Sequence, residues 1–212
     1  MTLLWLLGCP PRQLPEPTPA LLAGQATLSV DHHTGRSHFR LLLHEPVAAP
    51  LPSERQGIPL DSCATTVPEQ HADYPRVYRD AVVSLDCDGE RPLDRAAPGN
   101  WSHYFEQPPA AGTRCTLWLD GQAIALPPMP EPPEMRFAGG SLTWTGGGAD
   151  EVRVSVPRAE GRSTLCRLVD DGRAPAPPHM RGRQAFITRV ELDQVRLDQG
   201  RLAMASIAGT WL

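Results

Sequence analysis

A chain of 212 residues with 41% hydrophobic and 21% charged residues holds apolar material for one ordinary domain or two small ones, which excludes disorder throughout. Its 24 prolines and 18 glycines interrupt long helices and exclude an all-helical bundle. The formal net charge of -4 excludes a nucleic-acid binder that works through global basic charge, and no apolar run reaches the roughly 18 residues of a membrane-spanning helix.

All 20 basic residues are arginine. Without lysine neither a phosphate-binding loop of the usual kind nor a Schiff-base enzyme can be built. GC-rich codon usage, which favours Arg, Ala, Gly and Pro together, is the ordinary cause.

The chain opens on an uncharged, mostly apolar segment, MTLLWLLG, that runs directly into Cys9. Leu6-Leu7-Gly8-Cys9 resembles the lipobox of bacterial lipoproteins, in which a large apolar residue stands three before the cysteine and a small one directly before it. The resemblance implies that 1–8 is a signal segment, that the Cys9 thiol receives diacylglycerol, and that cleavage leaves Cys9 N-terminal. The competing readings are a signal segment without lipid and a buried N-terminal strand with an ordinary Cys9. Residues 9–24 then read as a tether, since the five prolines from Pro10 to Pro19 favour an extended, semi-rigid chain. The implied partner is a membrane, engaged through the lipid anchor. Pro10, in place of the aspartate that commonly retains such proteins at the inner membrane, points to the outer membrane, on its periplasmic or surface face.

Residues 25–126 read as a β-rich domain. Ala26 to Val30 and Phe39 to Leu43 flank His33-Thr34-Gly35-Arg36, a hairpin with glycine at the turn. In the second of these strands, period-two alternation puts His38, Arg40 and His44 opposite Phe39, Leu41 and Leu43. At roughly 3.3 Å per residue, His38 and His44 lie about 20 Å apart and cannot share a metal ion; they read as a polar surface. Glu45 to Arg79, punctuated by proline, reads as a loop pinned by Cys63.

Ala81 to Asp86 reads as a strand ending in the Asp88-Gly89 turn. Asp86, Asp88 and Glu90, like Asp170-Asp171, offer hard oxygen ligands but lack the spacing of a calcium loop, and are expected as turn residues. Trp101, Tyr104 and Phe105, with His103 between, form the one aromatic cluster. Exposed, it suits sugar stacking or a protein contact; buried, it is core. Asp120-Gly121, between Thr113 to Leu119 and Gln122 to Leu126, is the strongest hairpin signal in the chain.

Residues 127–133 carry five prolines in seven positions and are expected as a linker. Residues 134–212 follow as a second β region, with strands at Leu142 to Thr145, Glu151 to Val156, Thr164 to Val169, Ala185 to Asp193 and Leu202 to Trp211. Ser141-Leu142-Thr143-Trp144-Thr145 followed by Asp150 to Val156 resembles strands B and C of fibronectin type III and related immunoglobulin-like domains. The resemblance implies a core tryptophan and inward Val152, Val154 and Val156, with Arg153 and Ser155 outward. The fold class expected is therefore all-β: an immunoglobulin/fibronectin type III-like β-sandwich in two small β regions after a Pro-rich tether. The order of features, from lipobox and tether through Gly121 to Pro127 and the L-T-W-T, V-x-V and C-x-x-x-D-D-G stretches, resembles a group of uncharacterised bacterial lipoproteins of high-GC Gram-negative genomes. That resemblance implies location and fold and supplies no reaction.

Beyond Cys9 the cysteines are even in number: Cys63, Cys87, Cys115 and Cys166. Two disulfides are expected, as in an exported protein; free buried thiols in a cytosolic protein are the alternative. Three pairings are possible, and the sequential one, Cys63 with Cys87 and Cys115 with Cys166, is favoured. No spacing suits zinc or a thioredoxin-like redox centre. Arg173, Arg181, Arg183 and Arg189 with His179 form a basic cluster that reads as a solvated loop. No hydrolase, zinc-protease or dinucleotide motif is present, so no catalytic residue, metal site or cofactor is assigned. The expected function is a lipid-anchored cell-envelope module that binds a protein or glycan partner, without catalysis and without nucleic acid. The alternative is an exported hydrolase-type enzyme whose site forms only in three dimensions.

Overall fold

The computed structural model describes residues 22–44, 58–66, 81–97, 99–145, 147–177, 180, 184–197 and 200–212. The segment 1–8, Cys9 and most of the expected tether lie outside these residues. Residues 22–24, expected in the tether, belong to the first strand.

The architecture is an all-β sandwich. In chain order the strands are β1 (Leu22–Asp31), β2 (Arg36–His44), β3 (Ser62–Thr66), β4 (Val83–Asp86), β5 (Glu90–Pro92), β6 (Asp94–Ala97), β7 (Asn100–Phe105), β8 (Thr116–Leu119) and β9 (Gln122–Ala125). They continue with β10 (Met135–Ala138), β11 (Ser141–Trp144), β12 (Glu151–Pro157), β13 (Ser163–Leu168), β14 (Arg173–Pro175), β15 (Phe186–Leu197) and β16 (Gly200–Trp211). A single 3-10 turn, Ala159–Gly161, is the sole helical element among the described residues.

Nine strands form one sheet in the order β3-β13-β12-β15-β16-β1-β2-β7-β6, and two small sheets, β5-β4-β8-β9 and β10-β11-β14, accompany it. All ladders are antiparallel except β1 with β16. The register Val154↔Ile187, Arg189↔Ala208 and Val30↔Ala208 runs across the long sheet and keeps the inward side chains of its two halves on one face. On that face lie two cores. The first joins Leu28, Val30, Phe39, Leu41, Trp101, Leu202 and Met204 to Val83, Leu85, Leu117 and Ile124 of the four-stranded sheet. The second joins Val152, Val154, Val156, Cys166 and Ile187 to Met135, Leu142 and Trp144 of the three-stranded sheet.

Local chemistry explains most of these elements. In β2 the buried residues alternate through Ser37, Phe39, Leu41 and Leu43, as period two requires, but His44, expected on the polar surface, is buried as well. Asp120 and Gly121 both have positive φ, 50° and 83°, and close the β8–β9 hairpin as a turn whose twist matches its strands. Val152, Val154 and Val156 are buried, with Arg153 and Ser155 on the opposite side. There Glu151, itself buried, pairs with Arg153 and with Arg167, whose Nε donates at 2.7 Å.

The structure corrects four expectations. The stretch Glu45 to Arg79 contains β3, which pairs with β13 as an edge strand. β5, β6, β7, β10 and β14 are also strands; β5, β6, β10 and β14 have only three or four residues each, and the six-residue β7, NWSHYF, lacks a plain apolar–polar alternation. Residues 127–133 pack as part of the body: Met129 is 1% exposed, and Ser206 Oγ donates to the Pro127 carbonyl at 2.7 Å. The Met129 amide donates to Thr113 O at 2.9 Å. Residues 134–212 supply the whole of the second core, but they do not stand apart, since β16 returns Leu202, Met204 and Ala208 to the first core and pairs with β1.

The fourth correction concerns the cysteines. All four form disulfides, but the pairs are Cys63–Cys166 and Cys87–Cys115. Cys63 and Cys166 face each other directly in the β3–β13 ladder. Cys87 lies one residue beyond β4, and Cys115 one residue before its ladder partner β8. Each bridge therefore joins neighbours in one sheet, and neither links the two cores.

Candidate functional site

Strand β7 decides where the aromatic cluster goes. Its alternation turns Trp101, His103 and Phe105 toward the inner face, opposite Leu41, Phe39 and Ser37 of β2, and turns Tyr104 to the outer face opposite His38. Trp101 is core, 2% exposed. Tyr104 is 72% exposed and stacks on His38 with ring centroids 4.4 Å apart. The three expected interaction residues, Trp101, Tyr104 and Phe105, thus share a strand without sharing a surface.

On the outer face, burial, then Arg40 and His103, hold the His38 imidazole below its ordinary value. The cationic form is the one disfavoured by folding, so any stability tied to His38 is present above the ordinary imidazole value and is lost as pH falls through the depressed one. An NMR titration of the His38 ring protons is expected to give a midpoint below that of a free histidine. Arg40→Ala should move it upward; an unchanged midpoint in that variant would remove the charge contribution.

Phe105 belongs to a different feature. Where β7 ends, the long sheet and the four-stranded sheet separate at their rim and enclose a cavity of about 190 Å³. One wall is the β4–β5 hairpin, with Leu85, Cys87, Asp88, Gly89 and Arg91; the other is His103, Phe105, Glu106 and Gln107. The hairpin wall is held in two ways. Asp86 Oδ1 accepts the Gly89 amide at 2.9 Å, closing the turn in which Gly89 takes a φ of 135°, and Cys87 is bonded to the fully buried Cys115. Asp86 and Asp88 are thus a turn anchor and a cavity residue.

The His103 ring meets Phe105 edge-on, with centroids 4.8 Å apart. Its Nε2 is closed off from solvent and has no hydrogen-bond partner in the protein. Among the described residues, no ion pair engages Asp88, Arg91 or Glu106, so their charges remain available at the mouth of the cavity. No group of three or more His, Cys, Asp or Glu side chains is gathered for a metal ion among the described residues.

The other candidates serve the fold. Arg189, expected in a solvated basic cluster, is buried in an ion pair with Asp170, Nε to Oδ2 at 2.9 Å. It also donates to Thr145 O at 2.5 Å and Glu131 O at 3.1 Å. His179, Arg181 and Arg183 lie outside the described residues. The one sequence signal for the cavity was the pairing of a Trp-x-His-x-Phe alternation with an Asp-Gly turn, and nothing in the sequence indicated that the two meet. No family model, curated protein or solved structure matches the chain, so the reading of this site rests on its own residues.

Proposed function

We propose that the chain is an exported, lipid-anchored cell-envelope protein that acts by binding and without catalysis, using the cavity between the β4–β5 hairpin and the end of β7. The observation that carries export is the pair of disulfides, which form and persist in oxidising compartments. The Leu6 to Cys9 lipobox resemblance supplies the anchor and the outer membrane the destination. Binding is favoured over acyl transfer because no hydroxyl or free thiol nucleophile lines the cavity, and the Nε2 of its histidine has no hydrogen-bond partner to orient the ring as a base. Buried Trp144 and the alternation of β12 favour the immunoglobulin-like reading of the second core.

Intact-mass analysis of protein extracted from membranes of a Gram-negative host is expected to show loss of Met1 to Gly8 and added acyl mass on Cys9. Cys9→Ala should abolish the acyl mass and release the protein from the detergent phase. A Met1 terminus without acyl mass, in a soluble fraction with all five thiols free, would overturn the reading.

A further inference from the structure

We infer that the cavity is a saccharide subsite that takes one pyranose ring, either as a free sugar or as the end residue of a glycan. The inference rests on the binding reading above and adds the ligand class.

Size gives the first constraint. An apolar cavity of about 150 Å³ admits a benzene ring, so 190 Å³ has room for a six-membered ring with small substituents. It is smaller than the roughly 300–1,000 Å³ of sites that enclose a whole drug-sized molecule, which suits a single unit.

The lining gives the second. A sugar hydroxyl donates one hydrogen bond and accepts others, so a site for it needs acceptors and donors side by side. Asp88 and Glu106 supply carboxylate acceptors, Arg91 donors, and Gln107 both. The C–H faces of the ring need an apolar wall, and Phe105 and Leu85 provide one.

Charge gives the third. Two carboxylates against one guanidinium leave the mouth with a surplus of negative charge, which disfavours a phosphate or carboxylate ligand. The guanidinium in the same ring of residues disfavours a simple cation. A neutral polyol can hydrogen-bond to carboxylates and guanidinium alike and adds no charge of either sign to these exposed groups.

The test uses the full-length protein in a detergent without a sugar headgroup. Saturation-transfer NMR is recorded with glucose, galactose, mannose and N-acetylglucosamine, with their methyl glycosides, and with lysine, glutamate and inorganic phosphate as controls. Transfer to the ring protons of at least one pyranose is expected. Preference for the methyl glycoside identifies a glycan end residue, and preference for the free sugar a monosaccharide. Asp88→Asn and Glu106→Gln are each expected to weaken binding at least about tenfold, as does loss of a hydrogen bond to a charged group, with Phe105→Ala acting in the same direction and the urea midpoint of the carboxylate variants unchanged. Three results would overturn the inference: no transfer to any pyranose from folded protein, equal transfer in the variants, or a stronger response to a control. Each of these leaves the mass analysis at Cys9 untouched, so failure of the ligand class and failure of the anchored-protein reading are told apart.

Discussion

Replacing Cys63 and Cys166 together by alanine is expected to lower the unfolding free energy by about 4–5 kcal/mol, more than the same change at Cys87 and Cys115, expected at about 3–4 kcal/mol. The order follows from the closed loops, with sequence separations of 103 and 28 residues, which on a chain-entropy account correspond to roughly 4.7 and 3.6 kcal/mol. The shorter loop is nested within the longer one, so the two losses should not add. Either loss is a large share of the roughly 5–15 kcal/mol typical of native proteins.

The consequences differ in place as well as size. β3 lies at the edge of the long sheet and pairs with β13 alone, so without the bridge it depends on five residues of ladder and a few side-chain contacts such as Arg158 to Thr65 at 3.0 Å. Loss of Cys87–Cys115 instead frees the hairpin wall of the cavity. Urea unfolding followed by tryptophan fluorescence measures the losses, and hydrogen exchange places them. Peptide mapping without reduction checks the pairing; a Cys63–Cys87 peptide would refute the arrangement.

Asp170→Ala is expected to cost about 3–5 kcal/mol, the range for removing one partner of a buried ion pair. The side chains of Arg189 and Asp170 are 4% and 1% exposed, so the truncation strands a cation away from water. It also takes the acceptor from Trp144 Nε1, which donates to Asp170 Oδ1 at 2.7 Å, and from the Ala149 amide at 3.1 Å. Arg189 stands where the two cores adjoin, bonded to Glu131 O in the proline-rich segment and Thr145 O after β11, so its disorder should reach both. Gly147 belongs to the same arrangement: a Cβ there would come within 2.6 Å of the guanidinium carbon. The double variant Asp170→Asn, Arg189→Met should recover part of the loss, because it removes the stranded charge and keeps an acceptor for the indole. Equal urea midpoints for Asp170→Ala and the native protein would refute this account.

Much of the first half of the fold was legible because its signals are local. The β1–β2 and β8–β9 hairpins are written in alternating apolar residues around His33 to Arg36 and around Asp120-Gly121, and both occur as expected. The inward valines of β12 follow from the same period of two. Of the strands that escaped the reading, β5 and β14 have three residues each, less than two periods of any pattern, whereas β3 and the six-residue β7 lack a plain apolar–polar alternation.

The sequence alone determined the strand-rich composition, the tight turns and the inner faces of β2 and β12, because these depend on residues within one turn or one strand of each other. Tertiary structure alone decided the parallel pairing of β1 with β16, the choice among three disulfide connectivities, and the meeting of the Asp88 turn with His103 and Phe105. Each of these joins segments far apart along the chain, where loop-closure entropy opposes the contact and only the burial of two complete faces overcomes it. The packing of 127–133 was decided in the same way: proline restricts that segment locally, whereas Ser206 and Arg189, arriving some 60–80 residues later, bind its carbonyls and make it part of the body.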